Sequence, residues 1–410
     1  MTEDINEKLN SPTREERLTA LRESADNLQR LPRKTDVNNH IHTIYSFSPY
    51  SPTKAVWCAY QAGLSAAGIV DHDSVAGAEE FIRAGEIMNL PITIGFELRT
   101  THLSTTLGNK RTNNPDQNGI SYLTFHGVPH TRLAAVSEFL KPINKAREKR
   151  NRLMVARLNE LLAVSLDYDL DVLPLSQSAE GGSVTERHIL YALAIKLKEN
   201  YQNDLVTYLK DIINVDQTAQ TKLEAQDDPY FLYDLLGVLK SELVGKFYLP
   251  ADDKECPDIS TLVDFANTNG IILAYPYLGD IGVSVTGDKK AQIFEDGFLD
   301  ELFEVLKDLG IRAVSYMPTR NTREQLLRLK NLCERHQMFQ ISGEDINSPR
   351  QSFICAALAD PLFSNLIDNT WALIGHEKAA TQDLSQSFVN LDLPLEEKII
   401  YFRDIGKPSK

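Results

Sequence analysis

Two histidines one residue apart, His40 and His42, lie in the segment NNHIHT at 38–43. On a strand, side chains at i and i+2 leave the same face, so the two imidazoles can chelate one cation. Such a pair alone is weak evidence, because nine histidines in 410 residues produce H-x-H by chance. Two further clusters strengthen it. Asp71, His72 and Asp73 follow the apolar run Ala66 to Val70, and Glu97 closes the run Pro91 to Leu98. Three successive strand ends thus offer imidazole and carboxylate donors. A divalent ion held by such groups acidifies its bound water and polarises a substrate oxygen, and Glu97 is suited to bridge a pair of ions. The competing reading, a buried polar network, is costly without a compensating ion.

These residues need elements to carry them. From about Lys34 the chain alternates short apolar runs with amphipathic stretches, as parallel βα units do. Asp36 to His42 reads as a strand, and Ser51 to Ala62, with proline at its second position, as the following helix. A helix from Val75 to Met88 separates the second and third strands. Each polar cluster then sits at the C-terminal end of a strand, the face on which closed βα barrels build active sites. The polar stretch 101–119 is too long for a plain connection and reads as a lid or an excursion. Ile120 to Val128 is a strand carrying His126, and a basic helical stretch begins near Arg132. The expected organisation is an N-terminal helical extension over 1–33, a first barrel part over 34–145, a helical insertion over 146–249, and a second barrel part with a C-terminal segment over 250–410. The βα rhythm resumes with strands at Gly270 to Tyr275, Ala313 to Met317 and Phe339 to Asp345.

Composition narrows the function. With 43 basic against 57 acidic residues, the net charge of −14 repels polyanions at long range, which disfavours a nucleic-acid polymer or an anionic membrane as partner. No apolar run is long enough to span a bilayer and the start is not signal-like, so a cytoplasmic protein is expected. The four cysteines are widely separated and suggest neither a disulfide framework nor a zinc site.

The segments HIHTIYS, GIVDHDSVAGAEEF and IGFEL, in this order, resemble the three leading motif blocks of the PHP (polymerase and histidinol phosphatase) family of metal-dependent phosphoesterases. The specific resemblance covers Asp36 to Arg99, with looser similarity at Ser121 to Arg132, TERHILYALA and ISGEDINSPRQ. It implies an α/β fold, a distorted (β/α)7 barrel with an inserted helical subdomain, binding two or three Mn, Fe or Zn ions and hydrolysing phosphate esters. Carried over, His40 and His42 bind the first metal, with Glu97 bridging and Asp345 completing the site. His72 holds a second ion, and His126 is the candidate for the family's next histidine. Arg187 and His188 fall where relatives have an R-P-H segment opening a helix, and there Arg187 and the helix N-terminus could meet a phosphate; the alternative is that Arg187 and His188 cap the insertion helix.

The chain departs from the family pattern at three positions. Tyr275 stands where the family has the histidine of A-H-P, Asn347 where D-x-H ends in histidine, and Phe47 where Asp or His is common. Tyr and Asn are poorer ligands than His, and Phe is none. One firmly bound ion and a second, weaker one are therefore expected. Arg320 and Arg350 follow strand ends and could bind phosphate by paired hydrogen bonds, against a capping or surface role. Asp280, Lys289 and Lys290 read mainly as solvated loop. His130 could support His126, and Trp57 and Trp371 read as core. The expected function is a phosphoesterase acting on a small phosphorylated substrate, with Asp71, Arg187, His188, Arg320 and Arg350 as candidate catalytic residues. Two alternatives stay open: an amidohydrolase-like enzyme acting on a carbonyl, and a degenerate PHP module that binds without turnover.

Overall fold

The computed structural model describes residues 2–26, 35–162, 164–281 and 292–408; Lys289, Lys290 and the end of the N-terminal extension lie outside them. In chain order the elements are α1 (Thr2–Lys8), α2 (Arg14–Ala25), β1 (Val37–Ile41), α3 (Pro52–Gln61), β2 (Ala66–His72), α4 (Ala78–Met88), β3 (Ile92–Thr101) and β4 (Ile120–His126). The helices α5 (Leu133–Leu162), α6 (Glu186–Tyr201), α7 (Leu205–Ile212), α8 (Gln217–Glu224) and α9 (Phe231–Phe247) follow. The chain ends with α10 (Ile259–Thr268), β5 (Ile272–Tyr277), α11 (Leu299–Asp308), β6 (Ala313–Tyr316), α12 (Arg323–Arg335), β7 (Phe339–Ser342), α13 (Ser364–Gln382) and α14 (Leu395–Gly406).

The seven strands form one sheet in the order of the chain. It curls until β1 meets the segment after β7, where His42 N donates to Ile346 O at 2.9 Å and Ile346 N to His40 O at 3.1 Å. The result is a nearly closed, distorted (β/α)7 barrel. One expectation is corrected: β4 runs antiparallel to both β3 and β5, so the units are not all parallel. The reason is local, because β3 and β4 are joined by the 102–119 loop without the helix that a parallel crossover requires.

Hydrophobic packing along α5 changes partner halfway. Val136, Leu140 and Ile143 belong to the barrel core, whereas Met154, Val155 and Leu158 join a second core shared with α6 and α9. Phe47 is the barrel residue that enters this second core. The N-terminal helices cover α3 and α4: Arg17 makes a two-pronged, buried pair with Glu80, at 2.9 and 2.6 Å, and Glu80 also takes the Thr53 hydroxyl. Among the described residues, no helix is long and apolar enough to cross a membrane, and the four cysteines are free.

Helix α13 plugs the mouth of the barrel opposite the strand ends that carry the candidate ligands. Glu377 accepts from Ile94 N at 2.7 Å and pairs with His130 Nε2 at 2.9 Å, while His376 Nε2 bonds Gly127 O. Asn369 donates to Gln340 O, and Asn39 reaches Thr370. His130 therefore anchors the plug rather than supporting His126. Helix α14 then crosses α13 at backbone contact: a Cβ on Gly375 would stand 1.8 Å from Phe402 O.

Two stability measurements follow from this packing. Gly375→Ala should destabilise the α13–α14 pair by about 3 kcal/mol, raising hydrogen exchange across α14. Gly237→Ala, in α9 with open space around it, should instead stabilise by about 0.5–1 kcal/mol. For the plug, burial opposes a charged His130, but the bond to Glu377 outweighs it and raises the imidazole pKa above its ordinary value. That contribution is complete below about pH 6.5 and is lost as pH climbs through the raised value. The thermal midpoint deficit of His130→Ala should accordingly be largest near pH 6 and shrink toward pH 9.

Candidate metal centre

His40 and His42 flank the bridge that closes the barrel. Pairing of β1 with β2 is regular at Val37 and Asn38 and shifts before Ile41, freeing the His40 and His42 backbone for Ile346. Both imidazoles point inward. On the neighbouring strands His72 and Glu97 are directly paired in register, which brings His72 Nδ1 to 2.8 Å from Glu97 Oε1. Glu97 also lies 3.6 Å from His42 Nε2 and 3.9 Å from His40 Nε2. Asp345, just beyond β7, brings Oδ1 to 3.0 Å from His42 Nε2. His126 enters differently: on antiparallel β4 it lies opposite Gly95, one pleat deeper than Glu97.

These atoms approach one another without hydrogen-bond geometry. His40 Nε2, His42 Nε2, His72 Nδ1 and both nitrogens of His126 are buried and have no hydrogen-bond partner. Five orphaned ring nitrogens facing two carboxylates would be expensive in an interior built for its own sake. As a donor set they suit a divalent cation: the ligand atoms of His40, His42 and Glu97 all lie within 4.8 Å of one another and could hold one ion. Burial lowers the pKa values of His40 and His72 and takes His126 down to about 3, which keeps these rings in the neutral form a metal needs. Burial also works against an ionised Glu97, but the imidazoles outweigh it and hold that carboxyl at about 2.

A second layer fixes the ligands. Both oxygens of Asp71 are taken, by Thr43 N at 2.7 Å, Thr43 Oγ1 at 2.6 Å and Ser46 Oγ at 2.6 Å. Asp71 therefore ties the turn after His42 to β2 and has no lone role as an acid or base. Asn347 Nδ2 donates to Asp345 Oδ1 at 2.7 Å, so the residue standing in place of a histidine orients the carboxylate beside it. Gly343 lets this segment approach β1, since a Cβ there would meet His40 Cβ at 2.6 Å.

The centre opens into a cavity of about 120 Å³. Arg187 and Lys240 from the insertion, Asp116 from the 102–119 loop, and Tyr122, Tyr277 and Tyr316 from the strands form its walls. The loop is an ordered wall: Asn113 donates to Tyr122 O and Pro276 O, and His102 bonds both Ser121 and Lys110 O. Tyr275 supports the same wall from behind, its hydroxyl accepting from Asn113 N, and does not line the cavity that the candidate ligands face. Phe47 has a left-handed backbone, φ 104°, and packs edge-on against His188 and Tyr191. That conformation costs about 1–3 kcal/mol and is held by the aromatic cluster that seats the insertion.

Three expected phosphate partners lie elsewhere. His188 is buried against Phe47, and its Nδ1 accepts from Thr185 N at 3.0 Å, so it caps α6; only its neighbour Arg187 reaches the cavity. Arg350 makes a two-pronged pair with Asp234 and a further one with Asp228, joining α9 to the segment after β7. Arg320 donates to Leu278 O and does not line the cavity. Asp280 holds Phe294 N in a loop. Lys240, Asp116 and Tyr122 carried no motif. Tyr122 was detectable in principle, because it shares a strand face with His126 at a spacing of four.

No family model matches the chain, and no curated protein matches its sequence. Solved structures do resemble it. One is a protein from Bifidobacterium adolescentis assigned as a metal-dependent phosphoesterase, with a TM-score of 0.54 at 19% identity over 82% of this chain and 97% of that one. Another is an amidohydrolase from Chromobacterium violaceum holding sulfate and no metal, with a TM-score of 0.53 at 15% identity over 82% of this chain and 96% of that one. At such identities the likeness is one of fold: the chain shares its barrel architecture with proteins assigned as hydrolases.

Proposed function

We propose that this protein is a metal-dependent phosphoesterase of the PHP kind that cleaves a small phosphorylated substrate. The observation that carries the reading is the convergence of His40, His42 and Glu97 on one point, with Asp345 beside His42 and orphaned imidazole nitrogens, across a cavity from the Arg187 guanidinium. His40, His42, Glu97 and Asp345 would hold a first Mn, Fe or Zn ion, and His72 with His126, sharing Glu97, a weaker second. When bound, such an ion supplies Lewis acidity toward a phosphoryl oxygen and acidifies water.

The remaining work falls to the chain. Arg187 makes no hydrogen bond or ion pair among the described residues and stands at the second position of α6, where the helix dipole adds positive potential. A guanidinium so placed can grip a phosphate by two hydrogen bonds and neutralise charge that grows as the ester breaks. Tyr277, Leu278, Tyr316 and Met317 give the opposite wall an aromatic and aliphatic lining that packs an organic group and excludes water. An amide or lactone could use the same ligands, as the amidohydrolase neighbour suggests; the free guanidinium favours phosphate.

Metal content of freshly purified protein tests the centre. At least one Mn, Fe or Zn ion per chain should be present and should disappear in both His40→Ala and Asp345→Ala. With added Mn²⁺, wild type should release phosphate from an aryl phosphate, and Arg187→Ala should lose about 10- to 100-fold in kcat/KM, the worth of a charged hydrogen bond. Hydrolysis confined to amides or lactones would replace the phosphoesterase reading with the amidohydrolase one. A protein that stays metal-free under Mn²⁺ and Zn²⁺ would leave a binding module.

A further inference from the structure

Six buried or nearly buried charges lie beside the metal centre. Arg147 of α5 reaches three acidic groups from three parts of the chain: Nη1 bonds Asp73, Nη2 lies 3.5 Å from Glu186 and Nε 3.9 Å from Glu255. Glu255 in turn receives Arg150 through two bonds, at 2.6 and 2.8 Å, and Arg99 of β3. Arg99, Arg147, Arg150, Glu255 and Asp73 are all buried, so three cations face three carboxylates with little water to screen them. Buried ion pairs are often no more stabilising than well-packed apolar residues, so the cluster invites a positional explanation.

The partners of Arg147 indicate what is being positioned. Asp73 directly follows the ligand His72, takes the left-handed conformation at φ 51°, and donates its N–H to Glu97 O at 2.9 Å. Its side chain, bonded to Arg147, therefore helps hold the turn that leaves β2 after His72. Glu186 opens α6, lines the cavity and precedes Arg187. Ser183, three residues before Glu186, clips its hydroxyl to His72 O at 2.6 Å.

We propose that Arg147 is a positioning residue for the metal centre: by binding Asp73 and Glu186 together it fixes His72 relative to the insertion wall that carries Arg187. The inference rests on the metal-hydrolase reading above. The guanidinium does this by geometry as well as charge, because a fork can serve separate carboxylates at fixed angles and a lysine ammonium cannot. Loss of the fork lets the turn after His72 relax while His40, His42 and Asp345 stay on the barrel seam.

Co²⁺ binding by calorimetry tests this independently of any substrate. Arg147→Lys should keep the fold and weaken the second, His72-served Co²⁺ site about 10- to 100-fold, as loss of support to a ligand does, while leaving the first site within twofold. Asp73→Asn should do the same through the other partner, and because Asn tolerates the left-handed conformation it adds no backbone strain. Arg17→Lys, at the equally buried pair with Glu80, should lower the thermal midpoint and leave Co²⁺ affinity unchanged. Second-site Co²⁺ affinities of Arg147→Lys and Asp73→Asn within twofold of wild type, or a wild type that takes up a single Co²⁺ whose affinity neither change alters, would overturn the proposal, whatever happens to the midpoint. Should Arg147→Lys fail to fold, Asp73→Asn decides alone. A wild type that binds no Co²⁺ overturns it together with the metal reading. Weakened Co²⁺ binding in the two variants, with no aryl phosphate turnover by wild type, would support the positioning role and sink the phosphoesterase reading alone.

Discussion

The hydrogen bonds between β1 and the segment after β7 are the constraint on which the rest depends. His42 N and His40 O are both engaged with Ile346, so the residue pair that closes the sheet is also the pair that carries the imidazoles. Closure and site assembly are one event. Asp345 stands next to Ile346 and arrives beside His42 only when the seam forms, after a sequence separation of about 300 residues whose loop-closure entropy the barrel core must offset. Glycine at 343 and an amide at 39, bonded to Ser342 O and Thr370, let the two strands come together that closely.

Charge in this interior is arranged around two solutions to the same cost. Along the seam, imidazole nitrogens facing two carboxylates are left without hydrogen bonds, and a cation would satisfy them. Behind it, three arginines and three carboxylates satisfy one another. The two sets meet at consecutive residues, His72 and Asp73, so the stiffness of the second is transmitted to the first. The insertion is fastened to the barrel by contacts of different character, among them the Ser183 bond to His72 O, the buried Arg147 cluster, the Phe47 aromatic contacts, and the exposed Arg350 pairs with Asp228 and Asp234. Screening by water leaves the last the weakest of them.

Positions where the family pattern is broken have been put to other use. Phe47 pins the insertion, Tyr275 backs the wall made by 102–119, and Asn347 orients Asp345. A ligand-poor position is thus not an empty one. Each stands where the resembled pattern has a metal-type ligand and instead stiffens a wall of the candidate site.

Much of the framework was legible in order along the chain. The i, i+2 histidines, the carboxylates ending apolar runs, and the alternation of strand and helix are local patterns, and local sterics and periodicity fix what they can become. Seven strands in sequential order and a helical insertion followed from those patterns and from the resemblance. The direction of β4 did not, because pairing sense depends on what a loop can span and not on the strand's own residues. Nor did the fates of Asp71, His188, Arg320 and Arg350, since a charged side chain has the same propensities whether it faces a cavity or a carboxylate from a distant helix. Their partners, Thr43 and Ser46, Thr185, Leu278, and Asp228 with Asp234, are chosen only when the barrel closes and the insertion docks. Residue types and spacing set which groups could bind a metal; which of them keep a free lone pair was decided by tertiary contacts, because a lone pair is free only when nothing else in the folded chain can reach it.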